Sequence, residues 1–259
     1  MKKLQIVILL VLNFLFSSAQ TAEEFNAQAN ALIRSENLDK ALPLLRKAAE
    51  LGNAEAQYNF GYFLQNGIGI EKNPEEAVKW YKESSDNHFN DGHYAMMMAY
   101  GNGNGIEQNS KMAFEYALKC AGNNDPTCMW NVVNCYITGN GVEQSIGKFR
   151  EWIVRLAKLE NPENLTQSGY ITSARLEIAR GMKNGKYFDQ DPQQSYLWYI
   201  TYNESKRDFS ILEQQKVIEE IKELEKSLLQ EQISSGERDA EALLGRKLLN
   251  YSQLYKTSL

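Results

Sequence analysis

The sequence predicts an all-α fold, an α-solenoid of stacked helix-turn-helix repeats, and three observations carry that prediction. Gly67, Gly103 and Gly139 recur every 36 residues, and their companions Gly69, Gly105 and Gly141 keep the same step. Aromatic residues follow suit, with Tyr58, Tyr94 and Trp130 upstream of the glycines and Trp80, Tyr116 and Trp152 downstream. Each copy also places a polar residue, Asn73, Asn109 or Ser145, where a second helix would begin. A fixed interval without insertion marks an architecture in which each unit buries its apolar face only against its neighbours. Such an architecture points to binding before chemistry.

The chain opens on Lys2 and Lys3, an apolar run, and Ser17-Ser18-Ala19, the form of a signal peptide cleaved after Ala19. An uncleaved anchor is the weaker reading, because the run is short and leaves through small residues. The expectation is export to a periplasm or the medium, with no stable membrane insertion after cleavage. Without Lys2 and Lys3 the chain has 26 basic and 33 acidic residues, so nucleic acid gains no electrostatic foothold. Three cysteines in an exported protein suggest one disulfide and one free thiol.

Residues 20–53 are expected to form an N-terminal capping helix pair broken at Glu36-Asn37, with Ala41, Leu44 and Leu45 one period ahead of Ala77, Trp80 and Tyr81. Repeats are expected over 54–205. In the first, Ala56, Phe60 and Leu64 share a face of a helix from Ala54 to Gln65, and Asn66-Gly67-Ile68-Gly69 reverses the chain. Asn73 then caps a second helix, with Pro74 at its first position and Glu76 placed to reach back to the cap's amide. Ala77, Trp80 and Tyr81 are expected to face inward. The period breaks between Arg155 and Tyr170, where Asn161-Pro162 predicts a longer connection. A fourth repeat returns 118 residues after the first, carrying Asp191-Pro192 with Gln194 and then Trp198-Tyr199. Residues 206–259 are expected to close the open end. Ile211, Val217, Ile218, Ile221, Leu224, Leu228 and Leu229 mark one amphipathic helix, and Gly236 separates it from a last helix with Ala240, Leu243, Leu244 and Leu248.

The string from Ala54 to Ile70, followed by Asn73-Pro74, Ala77 and Trp80-Tyr81, resembles the Sel1-like repeat, a tetratricopeptide relative. The resemblance covers Ala54 to Tyr199 and, more weakly, the preceding helix pair. It implies a right-handed superhelix and a scaffold or adaptor that holds a protein partner; no cofactor and no metal are assigned. The family's first helix usually carries a glycine that admits the second helix. Gly61 supplies it once, while Met97, Val133 and Ala179 stand at the matching positions and predict wider helix spacing.

Cys120 and Cys128, enclosing seven residues, are similar to the cysteine pair that ties adjacent repeats in the secreted, cysteine-rich branch of this family. Antiparallel helices joined by a turn agree, since they bring such Cα atoms within about 4.4 to 6.8 Å. Closing so short a loop stabilises by about 2 to 3 kcal/mol on the chain-entropy model. Cys135 lies two turns beyond Cys128 and is expected to be a small buried apolar residue.

If the first helices line the concave face, as the resemblance implies, Tyr58, Tyr62, Tyr94, Met98, Trp130 and Asn134 point towards a binding groove. Packing between repeats competes for Tyr58, Tyr94 and Trp130. Tyr62 and Asn134 fall away from the Phe60 and Leu64 stripe.

Enzyme signals are weak, and no catalytic residue is assigned. Ser145 and Lys148 fit an S-x-x-K string, but Ser145 stands where Asn73 and Asn109 cap their helices, and no S-D-N or K-T-G string accompanies it. His88 and His93 flank a repeat junction without a further ligand cluster. Asn164-Leu165-Thr166 fits a glycosylation sequon in a eukaryotic source. The leading expectation is an exported protein-protein interaction scaffold. An immunity or inhibitor protein acting on a toxin or envelope enzyme, and a weak cell-wall hydrolase or binder, remain open at this point.

Overall fold

The computed structural model describes residues 20–205, 211–251 and 254; the signal-peptide reading of residues 1–19 lies outside them. Among the described residues there are twelve α-helices and no strand. They come in pairs: α1 (Ala22–Arg34) with α2 (Leu38–Glu50), α3 (Ala54–Asn66) with α4 (Pro74–Asp86), and α5 (Asn90–Asn102) with α6 (Ser110–Gly122). Then follow α7 (Pro126–Thr138) with α8 (Ile146–Ala157), α9 (Leu165–Asn184) with α10 (Pro192–Ser205), and finally α11 (Ile211–Glu225) and α12 (Gln230–Leu244). The chain forms an all-α repeat fold. It divides into two compact units, one ending at Tyr116 and the next beginning at Ala117, so that α6 runs from one into the other.

In the first unit α1 to α5 each pack on the next, and α5 also touches α3. Phe60, Leu64, Ala77 and Tyr81 are buried in the α3–α4 interface, as the apolar stripes predict. Trp80 departs from expectation. It is half-buried and sets its edge on Phe60 with ring centroids 5.5 Å apart, leaving the deeper place to Tyr81.

One turn is built four times. α3, α5, α7 and α9 end on Gly67, Gly103, Gly139 and Gly185, all in the left-handed region. The cap residue of the following helix then sends its peptide N–H back to the helix just left: Asn73 to the Leu64 carbonyl at 2.8 Å, Asn109 to Tyr100 at 2.9 Å, Ser145 to Tyr136 at 3.0 Å and Asp191 to Met182 at 3.0 Å. This corrects the reading of Glu76. The Asn73 N–H is already engaged, so the Glu76 carboxylate accepts from the Asn73 side-chain amide at 3.1 Å instead, while the Glu76 N–H donates to Asn73 Oδ1. From the second repeat on, a glutamine just before the cap adds a brace. Gln108, Gln144 and Gln190 each donate to the carbonyl seven residues back.

The two turn glycines have different duties. Gly103 supplies a backbone φ of 69° at the helix end. Gly105 combines φ 74° with a close approach, because a Cβ there would collide with the Pro74 carbonyl at the start of α4. Gly61 is needed for space alone, since a Cβ would stand 2.7 Å from the Tyr81 ring.

In the second unit α7 packs on α8, and α9 touches both. The break in period between Arg155 and Tyr170 is shorter than expected. Asn164 caps α9 by accepting the Gln167 N–H at 3.1 Å, so helix resumes at Leu165 and α9 runs for 20 residues. Asn164 therefore serves as a helix cap, and its sequon falls in a capping motif.

Arg175 organises the irregular connection. Its guanidinium is buried and donates to the carbonyls of Ala157 (2.8 Å) and Leu159 (2.7 Å), to Asn161 Oδ1 (2.5 Å) and to Ser205 Oγ. Burial, and then the charge of Arg246, push its pKa down to about 10, so it stays a cation at neutral pH.

The last helices differ from expectation in detail. Gly236 lies inside α12, where a Cβ would press 2.8 Å from the Tyr196 ring, so it marks a close helix crossing. The separation between α11 and α12 falls earlier, at residues 226–229; Leu228 and Leu229 lie in it and Leu248 beyond α12, outside both helices. Beyond α12 the chain is held by Glu204 on α10. Its fully buried carboxylate accepts from Arg246 at 3.0 Å and from the peptide N–H groups of Leu249 (2.7 Å) and Asn250 (2.6 Å).

Two outcomes are expected from this geometry. Gly103→Ala should cost about 1 to 2 kcal/mol for its left-handed backbone, whereas Gly105→Ala should cost about 3 kcal/mol or more because strain and collision add. Thermal melting followed by circular dichroism would rank them. Arg175→Ala, which strands four acceptors, those on Ala157 and Ser205 buried and those on Leu159 and Asn161 partly so, should lower stability by about 3 kcal/mol or more, with Arg175→Lys recovering only part of it. Urea melts would check this, and equal midpoints for wild type and Arg175→Ala would contradict the assignment.

Candidate functional site

The first helices of successive repeats set their side chains in register. Asn53 caps α3 by accepting the Ala56 N–H at 2.8 Å, which fixes where the helix begins. Tyr58 and Tyr62 then lie one turn apart on α3, and Tyr94 and Met98 hold the matching places on α5. Phe60, Gly61 and Leu64 pack against α4, Tyr58 leans on Tyr81 of the same helix, and Tyr62 is left exposed.

The structure brings four of the six expected groove residues together. Tyr58, Tyr62, Tyr94 and Met98 line one recess of about 230 Å³ in the first unit, with Tyr81 behind and Asn102 at its edge. Tyr62 is 46% and Met98 40% exposed, whereas Tyr58 and Tyr94 are half-buried. The Tyr58 ring lies between Tyr81 and Phe89, 5.9 Å from each centroid. Burial, and then the negative charge of Asp91, raise the Tyr58 pKa above the ordinary phenol value. The phenol is therefore neutral at physiological pH, offering a hydrogen bond and an aromatic face.

Trp130 and Asn134 sit on α7 in the second unit. Asn134 is exposed. Trp130 is half-buried and stacks on Tyr170, with centroids 5.9 Å apart and planes 24° from parallel. The early start of α9 is what places Tyr170 there, and sequence reasoning missed it for want of reading Asn164 and Gln167 as a cap.

Cys120 and Cys128 form a disulfide with Cα atoms 5.7 Å apart, joining the end of α6 to the first turn of α7. Arg155 braces the enclosed loop by donating to Asn124 Oδ1 at 2.6 Å. Asp125 stands close to both sulfurs, but these are bonded to each other and unavailable as thiolate ligands. Cys135 is half-buried rather than buried, and burial raises its thiol pKa, which disfavours the reactive thiolate.

The remaining chemical candidates have structural employment. Ser145 Oγ accepts the Lys148 N–H at 3.3 Å, and Lys148 Nζ pairs with Glu151 at 2.8 Å, so the S-x-x-K string is a helix cap and a surface ion pair. His88 is exposed at a left-handed junction position, φ 61°, which Gly52 and Asn124 occupy one period to either side. His93 is buried and its Nδ1 lies 2.6 Å from Ser85 Oγ, tying α5 to α4.

Comparison with known proteins agrees with this geometry. The sequence profile of the Sel1 repeat matches residues 32–53, 54–89, 92–125 and 173–201. It passes over α7 and α8, where Phe149 stands in place of Ala77 and Ala113 although the turn is retained. A Sel1 repeat protein from Oxalobacter formigenes superposes with a TM-score of 0.62 at 21% identity, covering 85% of this chain and 87% of that one. A protective antigen of uropathogenic Escherichia coli with an SLR fold is 18% identical over 92% of this chain and 56% of that one, at a TM-score of 0.44. An immunity protein from Pseudomonas aeruginosa is 14% identical over 93% of this chain and 89% of that one, at 0.37. The first likeness supports the fold, and the other two are too distant in shape to carry an argument. With four matched segments, three of which carry the glycine turn between paired helices, the chain is a member of the Sel1-like repeat family.

Proposed function

We propose that this protein is an exported scaffold that receives a segment of a protein partner in the recess between α3 and α5, and that it binds rather than catalyses. One observation carries the reading: side chains from two consecutive repeats converge on a single recess, while Tyr62 and Met98 keep nearly half their surface open. Tyrosine and methionine are side chains that give contact area at small entropic cost or adapt to a partner's shape. A rigid repeat framework presents them already ordered, which lowers the cost of association. Trp130 and Asn134 on α7 are proposed as further contacts.

Export is supported by the Lys2-to-Ala19 segment and by the Cys120–Cys128 disulfide, a bond that persists in oxidising compartments. No helix among the described residues is long and apolar enough to cross a membrane.

The test is site-specific photocrosslinking in the source cell. A photoreactive residue at Tyr62 or Met98 should capture the same partner, and one at Lys79 on α4 should not. The purified pair should then lose about tenfold or more in affinity on Tyr62→Ala/Asn134→Ala. Equal capture from all three positions, or unchanged affinity in the double variant, would refute the recess as the docking site. Mass spectrometry of the envelope fraction should find a mature chain starting at Gln20.

A further inference from the structure

The sequence contains five Asn-Gly pairs, at Asn66, Asn102, Asn104, Asn140 and Asn184, and all of them fall where the first helix of a repeat ends and its turn begins. The dipeptide is chemically vulnerable, because a glycine nitrogen, with no side chain beside it, can swing towards the amide carbon of the preceding asparagine. The fold treats the five copies unequally. Asn66, Asn102 and Asn184 are the last residues of α3, α5 and α9, and the glycine after each has its N–H bound at the helix end, to the carbonyls of Phe63, Ala99 and Gly181. Asn66 is held a second time, since its side-chain amide donates to the Tyr62 carbonyl at 2.8 Å. Asn104 and Asn140 share one position in the turn itself, a period apart, and the N–H groups of Gly105 and Gly141 meet no acceptor among the described residues. Asn104 is half-buried in the wall of the recess, and the glycine after it is pressed against the Pro74 carbonyl. Asn140 is exposed.

From this pattern we infer that Asn140-Gly141 is a modification site, where the protein deamidates spontaneously to aspartate and isoaspartate ahead of the four sister pairs. The inference is independent of the scaffold reading. The Gly141 nitrogen attacks Asn140 Cγ and forms a C–N bond, and the side-chain nitrogen leaves as ammonia with the proton that Gly141 gives up. Water then opens the resulting succinimide at either carbonyl, yielding aspartate when the original peptide link is restored and isoaspartate when the chain runs on through the side chain. A bound glycine N–H must first be freed from its carbonyl, so the three helix-end pairs are protected. The products differ in consequence. Both add a negative charge, but isoaspartate also lengthens the main chain by one methylene between Gly139, where α7 stops, and Ser145. That stretch is clasped by the Ser145 N–H on the Tyr136 carbonyl at 3.0 Å and by the Gln144 amide on the Ile137 carbonyl at 3.2 Å, so the added length weakens the hold of α7 on α8.

The experiment ages the mature protein in warm, mildly alkaline buffer and follows each pair by peptide mass spectrometry, with isoaspartate methyltransferase labelling to tell the two products apart. Asn140 should convert about fivefold or more faster than Asn66, Asn102 and Asn184, and ahead of Asn104. Unfolded in urea, the five pairs should lose that ranking, and Asn140→Gln should remove the fastest label from the folded protein. Aged wild type should melt at a lower temperature than fresh protein, whereas fresh Asn140→Asp, which carries the charge without the extra methylene, should melt as wild type does. Equal rates at all five pairs in the folded protein, a faster Asn104, or the same ranking in urea would overturn the site. An unchanged melting temperature in protein carrying isoaspartate at position 140 would overturn the weakened clasp.

Discussion

In each repeat the peptide N–H that opens the second helix donates to a carbonyl nine residues back, near the end of the first, and this single bond holds the helix pair at a set angle. The bond forms only if the chain reverses within a few residues, which requires a left-handed residue where the first helix stops. Gly67, Gly103, Gly139 and Gly185 occupy those stops. Once the pair is set, the first helix has one flank committed to its partner and another left over. The recess is a consequence of that leftover flank repeating in step from α3 to α5.

The aromatic residues divide their labour accordingly. Tyr81 fills the space that Gly61 leaves, and Tyr58 leans on Tyr81 and Phe89 while still reaching the recess. Packing and binding are therefore not exclusive for Tyr58, whose buried ring fixes the position of its hydroxyl. Tyr62 and Met98, one turn farther along, have no comparable burial and remain accessible.

The periodic features were legible because they depend on local chemistry. Glycine at a helix stop, asparagine or aspartate at a helix start, and alternating apolar stripes each leave a mark at a fixed interval. The Cys120–Cys128 bond was legible for the same reason, as its partners are eight residues apart. Contacts between segments distant in sequence left no such mark. Arg175 reads as an ordinary surface cation in an amphipathic helix, yet it gathers acceptors from Ala157 to Ser205. Gly236 read as a breaker because the Tyr196 ring that needs its missing side chain lies 40 residues away. Of the six expected groove residues, the four on α3 and α5 line one recess, a grouping that the sequence reading did not single out. The Trp130–Tyr170 stack depended on a helix start hidden within an apparent sequon.

The clamp at the end of the described chain has an evolutionary corollary. Glu204 grips residues 249 and 250 by their peptide N–H groups, with their side chains playing no part in that grip. Substitution at the exposed Leu249 is therefore cheap, with proline the one replacement that removes the donor, whereas Asn250 also donates its side-chain amide to the Asn203 carbonyl at 3.2 Å. The burden of invariance falls on a single carboxylate, buried two helices earlier than the strand of chain it secures.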